Sequence, residues 1–222
     1  ERDLAALTRE QRAWLHDTGW QPDKGSLALL PGGDGMMDGA VLGLGRISDK
    51  AEMAFLVGQL ARQLPAGAYH FHEDPPDAEL ACIAWLMGGY QYAVYSEQHA
   101  RAVRHLRLPE GVDRDNILRV ANGVVLARDL INTPPNDLGP AELADAARHL
   151  AESHGAEFRC IVGDDLVREK FPLIHAVGRA SDRAPRLIEL RWGEHHHPKV
   201  TLVGKGICFD TGGLNIKTGN HM

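Results

Sequence analysis

The sequence predicts an α/β protein in two parts, and three observations point there. Helical periodicity alternates with short apolar runs of strand length along the 222 residues. A chain of that length suits one large or two modest domains. Pro109-Glu110-Gly111 interrupts the alternation near the middle and is the best candidate for a domain edge.

In the front part, Thr8 followed by Gln11 has capping-box spacing and Gly19 closes the pattern, predicting a helix over 8–18. The runs 26–30 and 40–44, bounded by Pro31-Gly32-Gly33 and Gly45, predict buried strands. Met53, Leu56, Val57, Leu60 and Leu64 form the apolar face of a helix over 49–64. A strand over 68–71 and a helix over 78–95, interrupted near Gly88-Gly89, follow. Beyond the edge, 115–131 reads as a long helix that stops at Asn132-Thr133-Pro134-Pro135-Asn136, where neither proline can continue a helix interior. Pro140 near a first turn and Gly155 beyond a last one bracket a helix over 140–154, with Ala144, Ala147 and Leu150 packing into the core. A strand over 157–162, a short helix over 164–170, and strand-like runs at 174–177, 186–192 and 199–203 complete the set.

Composition narrows the function classes. Hydrophobic residues are 44% and charged residues 24%, an ordinary globular balance. The longest uncharged apolar stretch, 80–90, is far short of the roughly 20 residues of a membrane helix. Charges at Arg2, Asp3, Arg9, Glu10, Arg12 and Asp17 leave no room for a signal-peptide core. Cys82, Cys160 and Cys208 are odd in number, far apart and without a CxxC, which fits reduced thiols in the cytoplasm. A net charge of −6 gives no electrostatic case for nucleic acid.

The informative segment runs Val200-Thr-Leu-Val-Gly-Lys205-Gly-Ile-Cys-Phe-Asp210-Thr-Gly-Gly-Leu-Asn-Ile-Lys217. An apolar strand ends at Gly204, and a loop with glycines at 204, 206, 212 and 213 carries Lys205, Asp210 and Lys217. Ligands of α/β sheets bind outside the carboxyl ends of strands, where such a loop is expected. Glycines permit positive φ and close backbone approach. A solvated turn with solubilising lysines fits the same residue types. The phosphate loop GxxxxGK[ST] is not matched, because Lys205 precedes the glycine pair.

VGKGICFDTGGLNIK resembles the signature of the leucyl aminopeptidase (M17) family, with its GKG, FD[ST]GG and following lysine. Arg128-Asp-Leu-Ile-Asn-Thr-Pro-Pro-Asn136 with Gly139-Pro140-Ala-Glu-Leu resembles that family's stretch between its two domains. Ala176-Val-Gly-Arg179 with Pro185-Arg-Leu-Ile-Glu-Leu is similar to the segment leading to its first metal-site strand, and Gly89-Tyr90-Gln-Tyr92 is weakly similar to the same proteins. The resemblance is dense from about residue 113 onward and thin before it.

The resemblance implies a non-catalytic α/β module over 1–112 and, over 113–222, the truncated beginning of an α/β metallopeptidase catalytic domain. It implies two divalent metals per subunit, manganese or zinc, with Lys205 coordinating one through its amine and Asp210 bridging towards both. Lys217, twelve residues after Lys205, is implied not as a ligand but as the group that polarises the scissile carbonyl. A metal-bound hydroxide is the implied nucleophile, and the reaction is release of leucine-like N-terminal residues from peptides. Cytoplasmic homohexamers are implied as well.

Lys205 as a ligand must be neutral, and lowering a lysine pKa from about 10.4 to 7 costs roughly 4–5 kcal/mol, which a dication can supply. Lys217 must stay an ammonium. The family's remaining carboxylates and its catalytic arginine lie downstream of Met222, so the expectation is the front part of a longer enzyme, inactive alone and needing ligands beyond residue 222. A catalytically inactive relative acting in assembly or in nucleic-acid binding is the alternative.

Other candidates have ordinary explanations beside the functional ones. His70-Phe-His72-Glu73 could set two imidazoles on one strand face, or end a strand with surface histidines. His195, His196 and His197 suit a solvated loop. Arg101, Arg104, His105 and Arg107 predict a wet basic helix face. Cys208 suits a small buried hydrophobe better than a nucleophile, with no base patterned beside it.

Overall fold

A computed structural model describes residues 4–46, 50–95, 103–210 and 214–221. The chain is mixed α/β and forms two compact units, Glu1–Arg128 and Asp129–Met222. The division between these units falls inside a long helix.

In the first unit, α1 (Arg9–Asp17) starts as the sequence predicts. Thr8 Oγ1 accepts from the Gln11 N–H at 3.2 Å, and Gln11 Oε1 accepts from the Thr8 N–H at 3.1 Å. β1 (Leu27–Pro31) and β2 (Met37–Leu42) form an antiparallel hairpin with Leu29 opposite Ala40, its register slipping between Leu30 and Pro31. The helix expected over 49–64 is divided: α2 (Lys50–Leu56), a 3-10 turn (Val57–Gln59) and α3 (Leu60–Gln63). Asp49 lies outside the described residues. β3 (Gly67–Tyr69) lies next in sequence, before α4 (Ala78–Gly88). α4 stops at Gly88 with Gly89 as its cap, so the second half of the helix expected to reach 95 does not form. Two adjacent glycines, each costing about 0.5–1 kcal/mol against alanine in a helix, are sufficient reason.

The division of the 50–63 segment follows from close packing. Gly58 and Gly88 meet backbone to backbone: a Cβ on Gly88 would fall on the Gly58 carbonyl oxygen, and one on Gly58 would stand 2.6 Å from the Ala84 oxygen. Around this crossing, Ala54, Val57, Ala61, Leu64, Ala81 and Trp85 form the buried core, with Tyr69 tilted against Trp85 at 5.9 Å between ring centroids. Gly88→Ala is therefore expected to cost about 1–3 kcal/mol of stability through overpacking, read as a lower urea midpoint at unchanged slope.

The basic stretch is a strand, not a helix. β4 (Arg104–Leu106) pairs in parallel with β3, and the Arg107 N–H donates to the Tyr69 oxygen at 2.8 Å. Strand geometry sends alternate residues to opposite sides: Arg104 turns inward to the Leu64 carbonyl, while His105 and Arg107 are exposed. No basic helix face is left, and Arg101 lies outside the described residues. α5 (Arg114–Asn132) buries Ile117 and Ala121. Its Arg128 donates to the Met87 oxygen at 2.8 Å and lies 5.3 Å from the Tyr90 ring centre.

In the second unit, α6 (Pro140–His154) ends at Gly155 in the left-handed region, φ 63°. It packs on an antiparallel ribbon of β5 (Glu157–Val162) and β6 (Arg186–Arg191), with Phe158 opposite Leu190. Ala144 and Ala151 are the buried positions of α6, whereas Leu150 is 41% exposed and is not a core residue. α7 (Asp165–Arg168) buries Leu166. Residues 174–177 are helical, within α8 (Pro172–Gly178), not a strand. Pro172 presets the helical φ at its first turn and overrides the β-branched residues that suggested extension.

The run 199–203 forms no strand either. Val200, Leu202 and Val203 are 83%, 92% and 93% exposed, and no described strand pairs with them. An unbroken apolar run is the pattern of a strand covered on both faces, and the described residues supply neither a neighbouring strand nor a covering layer. Among the described residues no helix is long and apolar enough to cross a membrane.

Candidate active site

The segment carrying Lys205 and Asp210 is built from the second unit outward. α6 begins at Pro140 after Gly139, whose N–H donates to Glu142 Oε2 at 2.8 Å. This is half of a capping box, since the N-cap glycine has no side chain to return the bond. The Arg183 guanidinium spans the preceding loop, donating to the Pro135 oxygen at 2.9 Å and to the Asn136 oxygen at 2.7 Å. It also approaches Glu142 Oε2 at 3.9 Å. The two backbone N–H groups of Glu142 and Gly139 hold the Glu142 carboxyl below the usual carboxylate range; burial opposes this weakly, while Arg183 and Arg186 reinforce it.

Within residues 204–210, Gly206 comes up against this helix start. A Cβ on Gly206 would stand 2.7 Å from Leu143 Cδ2, in the first turn of α6. Gly206 therefore serves close approach rather than positive φ, and Gly204 has open space around it. Gly212, Gly213 and Thr211 lie outside the described residues. Cys208 sits half-buried on the same junction; burial raises its thiol pKa, Glu142 adds to the rise and Arg183 opposes it. A thiol held protonated is a poor nucleophile, in keeping with a packing role.

Of the three site residues named from sequence, two meet. Lys217 Nζ donates to Asp210 Oδ2 at 2.6 Å, with both side chains roughly two-fifths exposed. Lys205 is exposed on the same segment, five residues before Asp210. Because 199–203 joins no sheet among the described residues, this loop does not lie at the carboxyl end of a sheet strand.

The remaining histidine candidates gather nothing. His70 and His72 follow β3 rather than lying on it, and both are exposed. His195, His196 and His197 are exposed, with the last two rings 4.5 Å apart edge to face. Among the described residues no three His, Cys, Asp or Glu side chains come together as a metal site would require. One carboxylate and one amine at Asp210 and Lys205 are donors of suitable kind for a divalent ion, but they are part of a donor set, since such ions take four to six ligands or more.

Sequence reasoning missed Arg183, Glu142 and Leu143. Their roles depend on contacts across 47 or more residues for Arg183 and across the return of 204–210 onto α6, which no local pattern announces.

The fold defines a class, a mixed α/β chain in two compact units, and comparison with known proteins gives the family. Residues 3–109 match the M17 aminopeptidase N-terminal domain, and residues 125–222 match the catalytic domain of the cytosol aminopeptidase family. The chain belongs to this M17 family. A probable cytosol aminopeptidase of Roseiflexus castenholzii is 34% identical over 208 residues, 82% of this chain and 43% of that protein. The crystal structure of a cytosol aminopeptidase from Coxiella burnetii is similar with TM-score 0.86 and 37% identity, covering 99% of this chain and 47% of that one. The bottromycin maturation enzyme BotP, in complex with Mn, is similar with TM-score 0.79 and 29% identity over 98% of this chain and 49% of that one. The chain thus spans somewhat under half the length of these relatives.

Proposed function

We propose that the protein carrying this sequence is a metal-dependent aminopeptidase that releases leucine-like N-terminal residues from peptides. The observation that carries the reading is the Lys205-to-Lys217 segment, lying within the catalytic-domain match with Asp210 and Lys217 in contact. Residues 1–112 are the non-catalytic module of this reading, and 113–222 begin the catalytic domain.

Lys205 and Asp210 are the metal-holding residues of the proposal, and the other ligands come from the part of the family's length this chain does not span. Two divalent ions, manganese or zinc, supply Lewis-acid polarisation and water activation when bound. The Mn complex of BotP supports manganese as the first ion to test. Lys217 contributes an ammonium directed at the oxygen that gains negative charge as the peptide carbonyl is attacked. Asp210 accepts from that ammonium at 2.6 Å within the segment. Cytoplasmic homohexamers belong to the same proposal.

The test is the full protein incubated with manganese or zinc and leucine amide. Release of leucine that a chelator abolishes and added metal restores is the expected result. Absence of turnover with either metal, in a protein that binds it, favours the inactive assembly role instead.

A further inference from the structure

We propose that Arg183 is a positioning residue for the reacting segment, acting through the first turn of α6. The inference rests on the reading of 205–217 as the reacting segment, but its geometry stands by itself. Arg183 enters from the loop before β6 and ties the Pro135 and Asn136 carbonyls at 2.9 and 2.7 Å. Those two residues lead directly into Gly139, the cap of α6. Gly139 has no side chain because the guanidinium occupies the space: a Cβ there would fall on Arg183 Nη1 and stand 2.9 Å from its Cδ. Glu142 closes the junction, accepting from the Gly139 N–H and facing Arg183.

The next residue, Leu143, is the one that Gly206 touches. One guanidinium therefore fixes the loop, the loop fixes the helix start, and the helix start meets the segment at Gly206, between Lys205 and Asp210. The planar fork matters as much as the charge, because two carbonyls set side by side need two parallel N–H donors, which a lysine cannot offer in one geometry.

The test uses the full protein and the variants Arg183→Ala, Arg183→Lys and Gly139→Ala. The last keeps the charge but displaces the guanidinium. The first readout needs no metal: alkylation of Cys208 by iodoacetamide in metal-free protein, followed by peptide mass spectrometry with Cys160 as internal reference. Cys208 is expected to react faster in all three variants while Cys160 keeps its rate. Arg183→Lys and Gly139→Ala keep the positive charge, so a faster reaction in them reports undocking of the segment. The second readout is manganese affinity by calorimetry, expected to weaken about 10–100-fold, the range for residues that orient ligands without touching the metal.

Unchanged Cys208 rates in all variants overturn the inference, as does a parallel rise at Cys160, which signals general loosening. An Arg183→Lys protein indistinguishable from the parent overturns the role of the fork. If the parent binds manganese but hydrolyses no aminoacyl amide, the proposed function fails while the Cys208 result still decides this inference.

Discussion

Lys217→Ala is expected to lower kcat by about 10²–10³-fold, the size seen when one preorganised oxyanion donor is lost, while metal content stays at the parent's level. The reasoning starts from the ion pair at 2.6 Å. Lys217 is a cation beside a carboxylate that the proposed function assigns to metal binding. Removing a positive charge from that neighbourhood cannot weaken the attraction of a dication, so affinity holds or improves slightly. What disappears is the charge facing the oxygen that becomes negative. Both partners of the pair are more than a third exposed, so its loss costs the fold little, under about 1 kcal/mol. Lys217→Gln should match the alanine variant, because the charge and not the length is missing, and KM should move far less than kcat. Steady-state kinetics with leucine amide and metal analysis of the same samples make the check. A Lys217→Ala protein that loses metal in proportion to activity would show that Lys217 holds the site together instead.

The parts of the fold legible from sequence are those whose instructions are local. Thr8 and Gln11 cap α1 as a reciprocal pair, Pro140 and Gly155 bracket α6, and 157–162 is a strand with the predicted ends. The failures have contacts for causes. The helix over 49–64 is divided where Gly58 meets Gly88, a crossing thirty residues apart in sequence. The basic stretch became β4 because the β3 edge was there to pair with it. Within 174–177 the β-branched residues outweighed Pro172 in a strand reading, although proline at a first helical position was the better signal.

The candidate site was legible to a different depth. Lys205, Asp210 and Lys217 stand out because glycines and charges crowd into one stretch, whereas the contact between the last two is seen only in the structure. The support beneath them was invisible. Arg183 in the sequence is one of two arginines in Arg179-Ala-Ser-Asp-Arg183, and nothing in that stretch says that it spans two carbonyls 47 and 48 residues earlier. The run 199–203 misled for a related reason: its composition asks for a covered strand, and the described residues provide no cover.

Lys205→Ala is the second large effect, expected to weaken metal binding by at least about 100-fold. Residues that merely orient ligands already cost 10–100-fold when removed, and Lys205 is proposed to donate its own nitrogen. A lysine amine binds a metal only with its lone pair free, so the group must give up its proton to the dication's pull. Lys205→Arg separates this role from simple charge. The guanidinium stays protonated and offers no lone pair, so the arginine variant should bind metal no better than the alanine variant. Lys205→Cys makes the opposite case: a thiolate donor prefers zinc to manganese, so this variant should regain zinc binding and leave manganese binding weak. Calorimetric titration of all three with both metals gives the answer. Arginine restoring parent-like affinity would mean that Lys205 acts as a cation near the site, and the donor set would have to be drawn without it.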